Sequence, residues 1–227
     1  MSWKESCERY VGFFDMMGFK NLVYRNQHEF VKKKMNTLHQ IVEEVNNNGN
    51  ESTLEKDKKI RVIIFSDSIL FVTKDNSSTT LNYLLLTSAW FISKCFKENI
   101  PIKGALSYGM ISANFDKSIF FGKGMIDAFL LQEELQMYGC ILDNQIEKKL
   151  QNLKGSNNKW IKRMKVPLKG GSATHLIINW VDPIKKFTAE EIAEELNKFY
   201  LSASGIVRRY IDNTIAIIEN LANPNSK

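Results

Sequence analysis

A chain of 227 residues with 44% hydrophobic and 25% charged residues has ordinary globular composition and enough length to bury one sizeable core. Its longest apolar runs, such as residues 62–65 and 84–92, fall short of the roughly 18 residues that a membrane span needs, so no membrane partner is expected. The net charge of +6 admits a polyanionic partner, yet the basic residues are dispersed apart from groups at 32–34, 56–59 and 159–165; this favours a solvated surface that attracts an anionic substrate over nucleic-acid binding.

Cys7, Cys95 and Cys140 are odd in number, far apart and without a CxxC pair, which points away from a disulfide framework or structural zinc site. The first residues carry no basic segment followed by an apolar stretch, so a cytoplasmic location is expected.

In chain order, residues 10–14 form an apolar run that ends on Asp15 and is followed by Gly18, which predicts a buried strand delivering a carboxylate into a turn. Helical spacing of Phe30, Met35, Leu38, Ile41, Val42 and Val45 predicts a helix over 28–46, stopped by an Asn/Gly cluster. Residues 60–65 and 69–73 read as two strands around Ser66-Asp67-Ser68, a hairpin with Asp67 near its tip. A helix capped within 77–80 runs to 96, and Pro101 precedes a strand over 102–111. Gly122 and Gly124 open a helix over 125–135. A short strand at 139–142 and a helix at 143–150 follow, then strands at 160–168 and 175–181 around Lys169-Gly170-Gly171. Residues 188–222 read as two helices broken near Ser204-Gly205. The order strand, helix, hairpin, helix, strand predicts an α+β, ferredoxin-like βαββαβ core with an added C-terminal hairpin and helices.

Two lone acids at the ends of apolar strands carry the chemistry. Singly, Asp15 and Asp67 each fit a turn residue. In a sheet of this order their strands can be neighbours, and two hard oxygen donors with open positions suit Mg²⁺ or Mn²⁺ together with substrate phosphates. His28, His39 and His175 lack metal spacing, and no P-loop, nucleophile-elbow or dinucleotide fingerprint is present.

The segments FFDMMGF (13–19), FSDSILF (65–71), IKGALSYG (102–109), FFGKGMIDAFLLQEE (120–134) and VPLKGG (166–171), in this order, resemble the class III nucleotide cyclases. Within that family the chain resembles the compact bacterial pyrimidine cyclases of the Pycsar anti-phage system. The resemblance implies a class III cyclase catalytic domain over residues 1–185, with a helical extension over 186–227 packed on it. It implies two Mn²⁺ or Mg²⁺ ions per site, held by Asp15, Asp67 and the backbone carbonyl of Met16. The amides of Met17, Gly18 and Phe19 would wrap the triphosphate, Lys169 would contact its terminal phosphates, and Lys103, which stands where related bacterial sequences carry an Arg-Gly-Ala run, would stabilise the pentavalent phosphate. The implied partners are UTP or CTP and a second copy of the chain, in a symmetric homodimer with sites at the subunit interface. The cyclic product would activate a separate effector without stable binding.

Departures from the family pattern accompany the matches. Ile63 and Ile119 stand where purine-specific members carry base-reading polar residues, which predicts a pyrimidine substrate. Arg61, Ser66 and Tyr108 are candidates for polar contacts to the base. Ile126 and Leu130 stand at the positions of the family's Asn and Arg that steady the transition state. The rival readings are a purine cyclase with altered base recognition and a catalytically silent module that binds a nucleotide or a partner.

Overall fold

The first strand sets the layers of the molecule. In a computed structural model that describes residues 3–48, 58–152, 158–181, 189–200 and 204–222, β1 (Ser6–Met16) sends Tyr10, Phe14 and Met16 to one face and Val11, Phe13 and Asp15 to the other. The chain continues through α1 (Phe19–Arg25), α2 (His28–Asn48), β2 (Ile60–Phe65), β3 (Ser68–Thr73), α3 (Ser78–Lys97) and β4 (Ile102–Asn114). Then follow β5 (Ile119–Phe121), α4 (Lys123–Glu134), β6 (Gly139–Leu142), α5 (Asn144–Asn152), β7 (Ile161–Leu168), β8 (Gly171–Ile178), α6 (Ala189–Tyr200) and α7 (Ile206–Ala222).

The strands form one sheet in the order β2-β3-β1-β4-β6-β8-β7, with β5 paired to β4. Its first four members are antiparallel throughout and carry the βαββαβ order of the ferredoxin-like core; the C-terminal hairpin extends the sheet through β6, which runs parallel to β4. The expected α+β fold is therefore the observed one.

Several elements differ from the sequence expectation, among them the last strand, β8, which spans Gly171–Ile178 where 175–181 is expected. β1 and β4 pair with one another from Ser6↔Ser112 to Met16↔Ile102, so both outrun their apolar cores. β5 is only three residues long and is defined by its ladder to β4. A separate helix, α1, precedes α2 because Asn26 takes extended backbone angles between them.

One sheet face packs against α2 and α3, where the rings of Phe14, Phe71 and Phe91 meet with centroids 4.9 to 5.3 Å apart. The other face carries α4, and Gly109 and Gly124 let helix and strand touch. A Cβ on Gly109 would lie 3.0 Å from the Gly124 nitrogen, and the Ser107 hydroxyl donates to the Gly124 carbonyl. Ile192, Leu196, Ile211, Ile217 and Ile218 from α6 and α7 join the larger core cluster. The expected boundary between residues 185 and 186 lies outside the described residues. All three cysteines are free thiols. No described helix is long and apolar enough to cross a membrane.

Candidate active site

Three backbone features bring the two acids to one end of the sheet. Gly18 adopts φ 76° and turns the chain from β1 into α1; a Cβ there would meet nothing within 4 Å, so conformation rather than space selects glycine. The Met16 amide donates to the Asp67 carbonyl at 2.9 Å, and the Met17 amide to the Pro101 carbonyl at 2.8 Å. These bonds stitch the end of β1 to the β2–β3 loop on one side and to the approach of β4 on the other. The loop itself has two residues, Ser66 and Asp67, between paired Phe65 and Ser68, and Ser66 takes the positive φ of 57° that so tight a hairpin requires.

Asp15 lies opposite Ser68 on β3 and Lys103 on β4. Directly paired residues project to the same side, so Asp15 and Lys103 share the face covered by α4. Burial and then the neighbouring Asp67 push the Asp15 carboxyl up to about 6; Glu133 adds to the rise, while Lys103 and a hydrogen bond from Gln132 oppose it. The Lys103 side chain is buried, at 4% exposure, and burial lowers its ammonium pKa against the opposing pull of Glu133 and Asp15.

Glu133 joins the two lysines of the site. Its Oε1 is 3.8 Å from Lys103 Nζ, an ion pair too long for a hydrogen bond, and its Oε2 accepts from Lys169 Nζ at 3.1 Å. Lys169 is carried to α4 by the tip of the β7–β8 hairpin. Its amide donates to the Glu134 carbonyl at 2.8 Å, and Leu168 bridges to Leu135. Tyr210 of α7 closes the cluster from behind: the Lys103 ammonium lies 5.9 Å from its ring centroid, and its hydroxyl donates to the Leu135 carbonyl at 3.1 Å.

Asp15, Asp67, Lys103 and Lys169, read from four separated segments, thus converge. Of the three amides expected to face phosphate, Met17's already has the Pro101 carbonyl as its partner. Gln132, Glu133 and Tyr210 complete the arrangement and were missed. Nothing marks a helical Gln-Glu pair as functional until α4 is laid across β4, although the close contact of Gly109 with Gly124 fixes that crossing. Gln132 is 1% exposed, and its Oε1 has no protein partner.

Asp15 and Asp67 are near enough for their charges to repel, and a divalent cation relieves such repulsion with ligands of the type it prefers. No cluster of three or more His, Cys, Asp or Glu side chains suited to a metal occurs among the described residues. A cation here would complete its shell with backbone carbonyls, water and phosphate oxygens, the mixed shell typical of Mg²⁺.

The other singled-out residues lie elsewhere. Ile63 packs in the second core cluster, and Ile119 is exposed. The Arg61 guanidinium stacks over Trp3 and Phe115, with centroid distances of 4.9 and 4.5 Å. Tyr108 accepts from Asn76, donates to Glu8 and stands about 16 Å along β4 from Lys103, by strand rise. Ser66 alone of the three base-contact candidates adjoins an acid of the site.

No family model matches the chain, and no curated protein sequence is significantly similar to it. Among solved structures, the fold resembles a bacterial light-regulated adenylyl cyclase with a TM-score of 0.52 and 13% identity, over 86% of this chain and 99% of that one. A class III adenylyl cyclase-like ATP-binding protein from Pseudomonas aeruginosa matches with a TM-score of 0.44 and 15% identity, over 84% of this chain and 40% of that one. An adenylate/guanylate cyclase/hydrolase from Silicibacter pomeroyi matches with a TM-score of 0.47 and 10% identity, over 76% of this chain and 96% of that one. At such identities the likeness concerns the fold alone, and it is the light-regulated adenylyl cyclase, at a TM-score above 0.5, that carries it.

Proposed function

We propose that this chain is a nucleotide cyclase that converts a pyrimidine nucleoside triphosphate, UTP or CTP, into its 3′,5′-cyclic monophosphate and pyrophosphate. The observation that carries the reading is the convergence of two repelling carboxylates and two lysines beside a glycine turn at one end of a cyclase-type sheet. In the reaction the ribose 3′-oxygen forms a bond to the α-phosphorus, the bond from that phosphorus to pyrophosphate breaks, and the hydroxyl proton leaves to solvent. Two Mg²⁺ or Mn²⁺ ions held by Asp15, Asp67 and the Met16 carbonyl would acidify the attacking hydroxyl and neutralise phosphate charge.

The chain's own groups supply position and charge. Lys103, buried and pointing to the Asp15 face, neutralises oxygens of the phosphate under attack, while Lys169 at its hairpin tip takes the terminal phosphate. The Gly18 and Phe19 amides open α1 toward the same anion. Such catalysis consists mostly of orientation and electrostatics, so few side chains suffice. Pyrimidine preference is supported only by the resemblance: Ile63 and Ile119 stand where purine-specific members carry polar base-reading residues, and without those a purine's polar edge would go unpaired. The resemblance to anti-phage cyclases supports a messenger role for the product, acting on a separate effector.

Ile126, Phe129 and Leu130 form an exposed apolar stripe along α4, and this supports a homodimer that buries it. The same stripe favours a second reading. Exposed Ile126 and Leu130, at 53% and 56%, occupy the positions of the family's transition-state Asn and Arg, as expected of a silent nucleotide-binding module.

Purified protein incubated with each of the four triphosphates and Mn²⁺, with products resolved by mass, tests these readings. Cyclic UMP or cyclic CMP is expected at a rate at least about tenfold above any purine product. Equal purine rates would replace the pyrimidine reading by a purine cyclase, and no product from any triphosphate would leave the binding module.

A further inference from the structure

Behind the turn at residues 16–18, on the sheet face to which Met16 points, lies a cavity of about 620 Å³. It is bounded by α1, the end of α3, the approach to β4, and α7. Its volume falls in the range of small-molecule sites, roughly 300–1,000 Å³. Met16, Phe96, Ile100, Leu196 and Val207 give it an apolar wall, and Asn21, Asn26, Asn99 and Ser204 supply neutral polar groups around it. The charged residues on its lining are Arg25 and Lys34, both cationic, and no Asp or Glu lines it. Lys34 Nζ donates to the Glu98 backbone carbonyl at 2.7 Å, a neutral partner that leaves its charge uncompensated. Arg25, in the last turn of α1, has no ion pair among the described residues.

We propose that this cavity binds an amphipathic small molecule with a single anionic group, its apolar body against Phe96 and Val207 and its anion between Arg25 and Lys34. An apolar wall gains from displacing poorly bonded water, and two uncompensated cations on the lining select the sign of the ligand's head group. The cavity abuts the acid and lysine cluster and shares with it the turn Met16–Gly18 and Tyr210, but none of Asp15, Asp67, Lys103 and Lys169 lines it.

Fluorescence titration with 8-anilinonaphthalene-1-sulfonate tests the proposal directly, and its outcome does not depend on whether the chain cyclises any nucleotide. Saturable binding at one site is expected, weakened at least about fivefold by Arg25→Gln and abolished by Val207→Trp, which fills the apolar end. The neutral N-phenyl-1-naphthylamine should bind at least about fivefold more weakly than the sulfonate. Each protein is first shown to unfold cooperatively; Arg25→Gln, at an exposed helix end, carries the test if Val207→Trp does not fold. Absent binding to the wild type, binding unchanged in the variants, or equal binding of the neutral probe would overturn the proposal.

Discussion

A carboxyl whose folded-state pKa rises to about 6 from an ordinary 3.8 costs stability whenever it is ionised. Below pH 3.8 both folded and unfolded chains hold the Asp15 proton and the cost vanishes. Between 3.8 and about 6 the folded chain holds more protons, so stability falls as pH rises, and above about 6 the full cost remains. Without metal, Asp15→Asn should therefore unfold at a higher temperature than wild type at pH 7.5. The gain should be about 1 kcal/mol after allowance for solvent screening, or roughly 2–4 °C for a chain of this size. The gain should disappear near pH 4; thermal unfolding in chelator at both pH values measures it, and a loss of stability at pH 7.5 would mean that Asp15 stabilises the fold. Glu133→Gln should tighten metal-free binding of a labelled triphosphate by about three- to tenfold, because the two lysines lose their internal counter-ion. Unchanged binding by anisotropy would remove both lysines from the phosphate site. Asp15 and Asp67 were legible because each is a lone acid beside an apolar run. Glu133 was not, since its meaning lies in distances to Lys103 and Lys169 across 30 residues or more of chain.

Elements act here by fixing register. Gly104 neighbours Lys103, and a Cβ at that position would lie 2.2 Å from a Phe14 ring carbon and 2.9 Å from the Phe13 carbonyl oxygen. Gly104→Ala should destabilise the chain by about 1–3 kcal/mol, the usual cost of overpacking, and lower its unfolding temperature accordingly. An unshifted transition would show that Phe14 yields freely. Strands and helices of the core were legible from period and punctuation: residues 139–142, for example, are the observed β6. The three residues of β5 carry no period long enough to detect, and α1 has no buried residue to mark an amphipathic face. The placement of the β7–β8 tip against α4 depends on the Lys169 amide bond to Glu134, which no local pattern announces.

At the scale of the whole molecule, the α4 stripe gives the assembly its test. Ile126→Asp combined with Leu130→Asp should convert a dimer into a cooperatively folded monomer, measured by sedimentation, because both side chains are already exposed within one chain. A wild type that sediments as a monomer at micromolar concentration would refute the homodimer. The positive net charge draws anions from a distance, but what a bound anion meets first is the Glu133 carboxylate already lodged between two lysines. That carboxylate acts as a threshold. On the cyclase reading, a triphosphate would displace it with several ionised oxygens and could occupy both cations, whereas a cyclic monophosphate, with a single charge, could not. The returning Glu133 would then help eject the product, so that a residue absent from the bond-making step would govern how quickly the site empties for the next turnover.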